Sequence, residues 1–179
     1  IGEGEEVDLE VIELFRKWRA EGKSKQEFLE LSSKIEGVYV PALYDVTYNE
    51  DGTIKSFTPK GDAPAKINKR IMLDMDKSFY PDNFVVPLVE IVHDRAVQEI
   101  FRGCIRSCRF CQAGMIYRPL RERALPMLEE LAAKGIKGTG NDEISLSSLS
   151  SSDYSELEAL TDYLIQTCEN RKENISLPS

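Results

Sequence analysis

From Leu88 onward the chain alternates between short β-branched runs and helical stripes, and this alternation restricts the fold more than any other feature of the sequence. Strands are expected at Leu88–Val92, Val97–Phe101, Ile144–Ser148 and Asn174–Leu177. Helices are expected between the last three. The first runs from about Leu125 to Lys134 and ends near Gly135. The second starts at Asp153, whose carboxylate is suited to cap it while Glu156 answers three residues later, and buries Leu157, Leu160, Leu164 and Cys168. Strand, helix, strand, helix, strand implies right-handed crossovers and a parallel sheet. Three parallel strands with two helices are an unfinished object, and the closing Ile175-Ser176-Leu177 is followed only by Pro178-Ser179. The expectation is a fragment of a larger protein.

The first half reads differently. After an acidic Ile1-Gly2-Glu3-Gly4-Glu5-Glu6, the recurrence of Val11, Ile12, Leu14, Phe15 and Trp18 predicts an amphipathic helix that Gly22 ends. Ser24 and Glu27 have capping-box spacing and open a second helix with Phe28, Leu29 and Leu31 inward. Beyond Gly37, Leu43–Tyr48 and Thr53–Thr58 flank the turn signal Asn49-Glu50-Asp51-Gly52, as in a β-hairpin, and Ile67–Leu73 is a candidate third strand. The expected organisation is a helical segment at 1–37, a β-rich connecting segment at 38–87 and the β/α region at 88–179.

With 41% hydrophobic and 30% charged side chains over 179 residues, nothing suggests disorder. No apolar run approaches the roughly 18 residues needed to cross a bilayer, and the N-terminus is acidic where a secretory signal would be basic. A cytoplasmic protein without membrane partners is expected. The net charge of −8 argues against a wide electrostatic footprint on nucleic acid, although a local basic strip can still meet an anionic substrate.

Of four cysteines, three fall within eight residues, in Arg102-Gly103-Cys104-Ile105-Arg106-Ser107-Cys108-Arg109-Phe110-Cys111. The spacing C-x3-C-x2-C directly after a predicted strand can bring Cys104, Cys108 and Cys111 to three corners of an iron–sulfur cube. Gly103 permits a tight exit from the strand, and Arg102, Arg106 and Arg109 offset the thiolate charge. Cys168 is a conceivable fourth ligand, but its place on an apolar stripe makes it a core residue. A zinc site would call for four ligands, and the chain's single histidine, His93, reads as a strand-end or turn residue. The serine-rich Ser145–Ser155 run reads either as a linker or, given Ile144, Leu146 and Leu149, as a strand ending in a polar loop.

The string C-x3-C-x-aromatic-C after the first strand of a partial β/α barrel resembles the signature of radical S-adenosylmethionine (SAM) enzymes. The resemblance extends through Gln112-Ala113-Gly114-Met115-Ile116-Tyr117-Arg118-Pro119-Leu120-Arg121-Glu122-Arg123, the serine-rich Glu143–Ser150, the Gly-Glu-Gly-Glu opening and the closing Ile175–Ser179. Together these look like the radical SAM proteins that carry a cobalamin-binding domain. The resemblance implies an α/β chain: a helical and hairpin segment, then the first β/α units of a partial TIM-type barrel. It implies a 4Fe-4S cluster on Cys104, Cys108 and Cys111, with one iron open to the amino and carboxylate groups of SAM. One electron then cleaves the sulfonium to a 5′-deoxyadenosyl radical. Phe110 fills the position that borders the adenine. An electron donor such as flavodoxin or ferredoxin is implied as partner. The Gly-Glu-Gly-Glu of such proteins closes an upstream Rossmann-like domain, so any cobalamin would belong to the parent protein. Where many members carry Gly-Gly-Glu at the end of the second barrel strand, this chain has Ser147-Ser148, whose hydroxyls can supply polar contacts to the amino acid portion.

Arg118, Arg121 and Arg123 put three guanidinium groups within six residues, next to Tyr117. They can clamp a substrate carboxylate or phosphate, with Tyr117 stacking or donating a hydrogen bond, or form a solvated, ion-paired surface. Two readings of function stand. In one, the intact protein cleaves SAM and turns the radical on an unidentified substrate, as in methylation or thiolation, and a nucleic acid is neither indicated nor ruled out. In the other, the chain is a non-catalytic iron–sulfur electron-transfer or scaffold module. The 179 residues alone are expected to turn over little, because half the barrel wall would be missing.

Overall fold

The structure is a computed structural model that describes every residue except 82, 90, 170–172, 178 and 179. The chain is mixed α/β and divides into two compact units, Ile1–Met72 and Leu73–Ser179.

In the first unit, α1 (Gly4–Glu21) ends where Gly22 takes a left-handed conformation, φ 64°, that any Cβ would oppose. Helix α2 (Lys25–Ser32) starts with the expected reciprocal cap: Ser24 accepts from the Glu27 main chain and the Glu27 carboxylate accepts from Ser24 N at 2.8 Å. Antiparallel β1 (Tyr44–Tyr48) and β2 (Ile54–Pro59) form the hairpin, with a register shift at Thr47/Tyr48 and Asp51 accepting from Thr53 N across the turn. Val7, Val38, Val40, Leu43 and Tyr44 are the buried centre, edged by Val11 and Leu29, while Ile12 and Phe15 face solvent. Residues 67–73 form no strand. Their main chain is claimed by the N-terminus instead: Glu3 N donates to Arg70 O at 2.9 Å and Met72 N donates to the Glu3 carboxylate at 2.7 Å.

The second unit holds the expected parallel sheet, in the order β3 (Ala96–Glu99), β6 (Glu143–Ser147), β7 (Asn174–Ser176). A separate two-stranded ribbon pairs β4 (Phe101–Arg102) with β5 (Arg121–Glu122), and a four-residue helix α3 (Ala113–Ile116) lies between them in sequence. Helices α4 (Leu125–Thr139) and α5 (Leu157–Glu169) pack on the sheet through Leu128, Ala132, Ile136, Leu160, Leu164 and Cys168 against Ile144 and Leu146. Because strand side chains alternate, Ser145 and Ser147 take the opposite face, where register sets them beside Val97 and Glu99. The three strands are open at both edges and make no closed barrel.

Three expectations are corrected here. Residues 88–92 form no strand among those described, residue 90 lying outside them; Leu88, Val89 and Val92 face solvent, with no adjacent strand to bury them. Helix α4 runs through Gly135 to Thr139 and is capped by Gly140, φ 71°. Gly135 is a buried position within the helix, where a Cβ would meet Tyr80 Oη at 3.7 Å and Ala96 Cβ at 3.9 Å, ordinary contact distances. Asp153 caps no α-helix: it closes a 3-10 turn, Ser151–Asp153, and α5 begins at Leu157. The polar loop expected after the serine-rich strand is present, and Cys168 is buried. Among the described residues no helix is long and apolar enough to cross a membrane.

Leu160 is fully buried in the helix–sheet core. Leu160→Ala is expected to lower unfolding free energy by about 2–5 kcal/mol, whereas Ile12→Ala on the exposed face of α1 changes it by under about 0.5 kcal/mol. Urea titration of both variants checks the contrast.

Candidate functional site

The site is built at the carboxyl ends of two parallel strands. Beyond Glu99, Ile100 N extends the β3–β6 pairing by donating to Ser147 O at 3.0 Å, and β4 then delivers the chain to Gly103. Gly103 has φ 97°, and an added Cβ would lie 2.6 Å from Pro119 O and 2.9 Å from Leu120 Cα. Only glycine lets the cysteine loop leave the strand this close to the segment that returns as β5.

The loop is shaped by its own main chain. Arg106 N donates to Cys104 Sγ at 3.4 Å, Cys111 N donates to Cys108 O at 3.0 Å, and Ser107 between them is left-handed at φ 52°. Cys104 and Cys111 are half-buried, Cys108 is exposed, and none is in a disulfide. Three thiols on one loop are a donor set that suits an iron–sulfur cluster. Among the described residues, however, no three histidine, cysteine or acidic side chains are gathered closely enough to hold a metal ion. Cys168, on α5, is enclosed in the helix–sheet core, and His93 sits in a turn beside Arg95.

Next to the root of the loop lies a cleft of about 290 Å³ lined by Glu99, Phe101, Arg102, Gly103, Tyr117, Ser147, Ser148 and Leu149. It brings together three residues named from sequence, Tyr117, Ser147 and Ser148. Phe110 is 93% exposed and is not part of its wall. Glu99 and Arg102, facing each other across the strand end in a two-point pair at 2.9 and 2.8 Å, supply both signs of charge at its rim. Glu99 has no motif to announce it; only the strand register places it beside Ser147. A hollow of about 330 Å³ in the first unit, near Lys34, Leu43 and Lys60, contains no residue of the cysteine loop.

The arginines divide by burial. Arg118 donates to Gly114 O at 2.9 Å and to Ser107 Oγ, bracing α3 and the cysteine loop. Arg121 is buried and donates to Pro119 O and Tyr117 O. Arg123, also buried, donates to Glu99 O and to Ser78 Oγ. Glu122 turns away to accept from Ser155 N and Oγ. Arg106 is bound at two points by Asp153, and this pair raises the arginine's pKa, with the thiols of Cys104 and Cys108 adding in the same direction. The same contacts, with Ser150 Oγ at 2.8 Å, hold the Asp153 carboxyl below its usual range. Tyr154 donates to Arg123 O, and burial pushes its hydroxyl up to about 12.

A family model described as "Radical SAM proteins, N-terminal" matches residues 1–41. The match supports the radical SAM superfamily. An uncharacterized protein of Methanocaldococcus jannaschii is 30% identical over 123 residues, covering 64% of this chain and 28% of that protein. The chain thus spans under a third of the length of that relative. No solved structure matches it.

Since Asp153 has a depressed pKa in the folded chain, its stabilising effect is present above the unfolded value of about 3.9 and disappears as pH falls through the folded one. Asp153→Asn is therefore expected to be less stable than wild type near neutrality. That gap should close in acid below about pH 4, as followed by urea midpoints at several pH values. An equal gap at every pH would show that the carboxylate charge is not what matters.

Proposed function

We propose that this chain is the cluster-bearing part of a radical SAM enzyme, in which Cys104, Cys108 and Cys111 hold a 4Fe-4S cluster and the adjoining cleft receives SAM. The observation that carries the reading is the position of the three-cysteine loop: it follows β4, just past the carboxyl end of the parallel strand β3, at the lip of the cleft lined by Ser147 and Ser148. Ligands of α/β folds gather at that end of the strands. The match at 1–41, well away from the cysteines in sequence, supports the radical SAM superfamily from a different part of the chain.

A bound cluster of this kind supplies one electron, which splits the sulfonium C–S bond of SAM into methionine and a 5′-deoxyadenosyl radical. The chain's own residues bind and orient. Ser147 and Ser148 offer hydroxyls, and the Glu99–Arg102 pair offers charge, to the amino and carboxylate groups of the methionine portion. Phe110, exposed on the loop, has the ring surface to border adenine. Tyr117 closes one wall, and Arg118 keeps the loop braced against α3. With Cys168 enclosed in the core, a fourth thiolate is not at hand, which favours an open iron over a four-cysteine electron carrier. In this reading residues 88–179 contain the first β/α units of a partial TIM-type barrel. The remaining wall, any cobalamin and the substrate belong to a longer parent protein.

Anaerobic reconstitution with iron and sulfide tests it. Wild type is expected to gain close to four irons per chain, and Cys104→Ala, Cys108→Ala and Cys111→Ala each to lose most of that iron, as measured by metal analysis and electron paramagnetic resonance of the reduced protein. The longer parent protein should then release 5′-deoxyadenosine from SAM in the presence of a reductant. A full cluster with no 5′-deoxyadenosine would leave the electron-transfer reading standing.

A further inference from the structure

Arg106 lies midway between the first two cysteines, and its guanidinium leaves the loop altogether to reach the segment that follows β6. There Nε donates to Asp153 Oδ2 at 2.7 Å and a terminal nitrogen donates to Oδ1. The Asp153 side chain is only 7% exposed while that of Arg106 is 59% exposed. A carboxylate withdrawn from water needs its charge and its lone pairs answered. Asp153 is answered by Arg106 at both oxygens and by Ser150 Oγ at 2.8 Å. Ser150 N in turn donates to Ser148 Oγ at 3.2 Å, and Ser148 Oγ meets Ser151 Oγ at 2.9 Å. Ser148 lines the cleft. A continuous run of hydrogen bonds therefore joins the first cysteine interval to the cleft wall.

We propose that Arg106 and Asp153 are a positioning pair, which fixes the cysteine loop against the Ser148–Asp153 segment so that the thiols and the cleft keep one spacing. This role rests on the assignment of Cys104, Cys108 and Cys111 as cluster ligands. Neither residue touches the reacting atoms. The planar fork of Arg106 is essential to it, because a two-point grip fixes direction as well as distance, and a lysine holds only one point.

The test uses the 179-residue chain, reduced and free of metal. The limiting rate of alkylation by iodoacetamide at high pH, where every accessible thiol is ionised, is followed peptide by peptide, with Cys168 as the buried reference. Removing a charge-assisted grip frees the loop to open, so Asp153→Asn and Arg106→Gln are each expected to speed alkylation at Cys104 by roughly tenfold while Cys168 stays protected. The double variant should be no faster than either single one, since one interaction is lost in all three. Arg106→Lys should fall between wild type and Arg106→Gln. After reconstitution, the same variants should surrender iron to a chelator faster than wild type. Unchanged alkylation at Cys104, or rates that multiply in the double variant, would overturn the proposal. Should Asp153→Asn also expose Cys168, the Arg106→Gln and Arg106→Lys pair decides, because that side chain is largely in solvent. A wild-type chain that takes up no iron would count against the cluster assignment; the alkylation comparison, which needs no metal, would still judge the positioning pair.

Discussion

The root of the cysteine loop is held by the guanidinium of Arg123, which is 3% exposed and donates to the carbonyl of Glu99 and the hydroxyl of Ser78. Its main chain completes the junction: Arg123 N donates to Ile100 O at 3.0 Å, and Arg123 O accepts from Tyr154 at 2.9 Å. The end of β3, the return strand β5 and the segment leading into α5 all converge on one residue. Burial lowers its pKa, and Glu99 and Asp76 nearby push the other way. A guanidinium stays charged under such conditions, so its carbonyl partners must remain where they are or leave a cation unanswered in the interior. Loop, cleft and ribbon inherit their positions from that requirement.

From Arg123 outward, the unit is arranged in two layers of different character. Helices α4 and α5 cover one face of the sheet with leucine and isoleucine, and the other face carries Ser145, Ser147 and Glu99. A sheet with one apolar face is stable because the helices bury it. Its second face is free to be polar, and the cleft uses that freedom at the strand ends.

Much of this was legible because it depends on local spacing. The Ser24–Glu27 cap, the Gly22 stop, the hairpin around Asn49–Gly52, the parallel strands and the stripe ending at Cys168 follow from offsets of two, three or four residues. Failures occurred where a distant partner decided. Residues 67–73 have strand composition, but Glu3 takes their main-chain groups. Leu88, Val89, Ile91 and Val92 are apolar, yet among the described residues no strand stands beside them. Gly135 resembles a helix stop and lies buried within α4. Asp153 resembles a helix cap and is bonded to Arg106, far away in sequence. In the site, the cysteines were visible as a motif, whereas Glu99 became visible only once strand register set it against Ser147.

The crowding at Gly103 bears on how such a loop can change over generations. A Cβ at this position would run into Pro119 O and Leu120 Cα, so no side chain can enter there without displacing the segment that leads into β5. Beyond Cys104 the chain runs through exposed positions from Ile105 to Phe110. In that outer arc the side chains of Ile105 and Arg109 can change at little structural cost, whereas Arg106, Ser107 and the spacing of the sulfurs are held. The inner end is frozen by sterics, so variation among chains of this architecture should fall between the cysteines and spare the glycine.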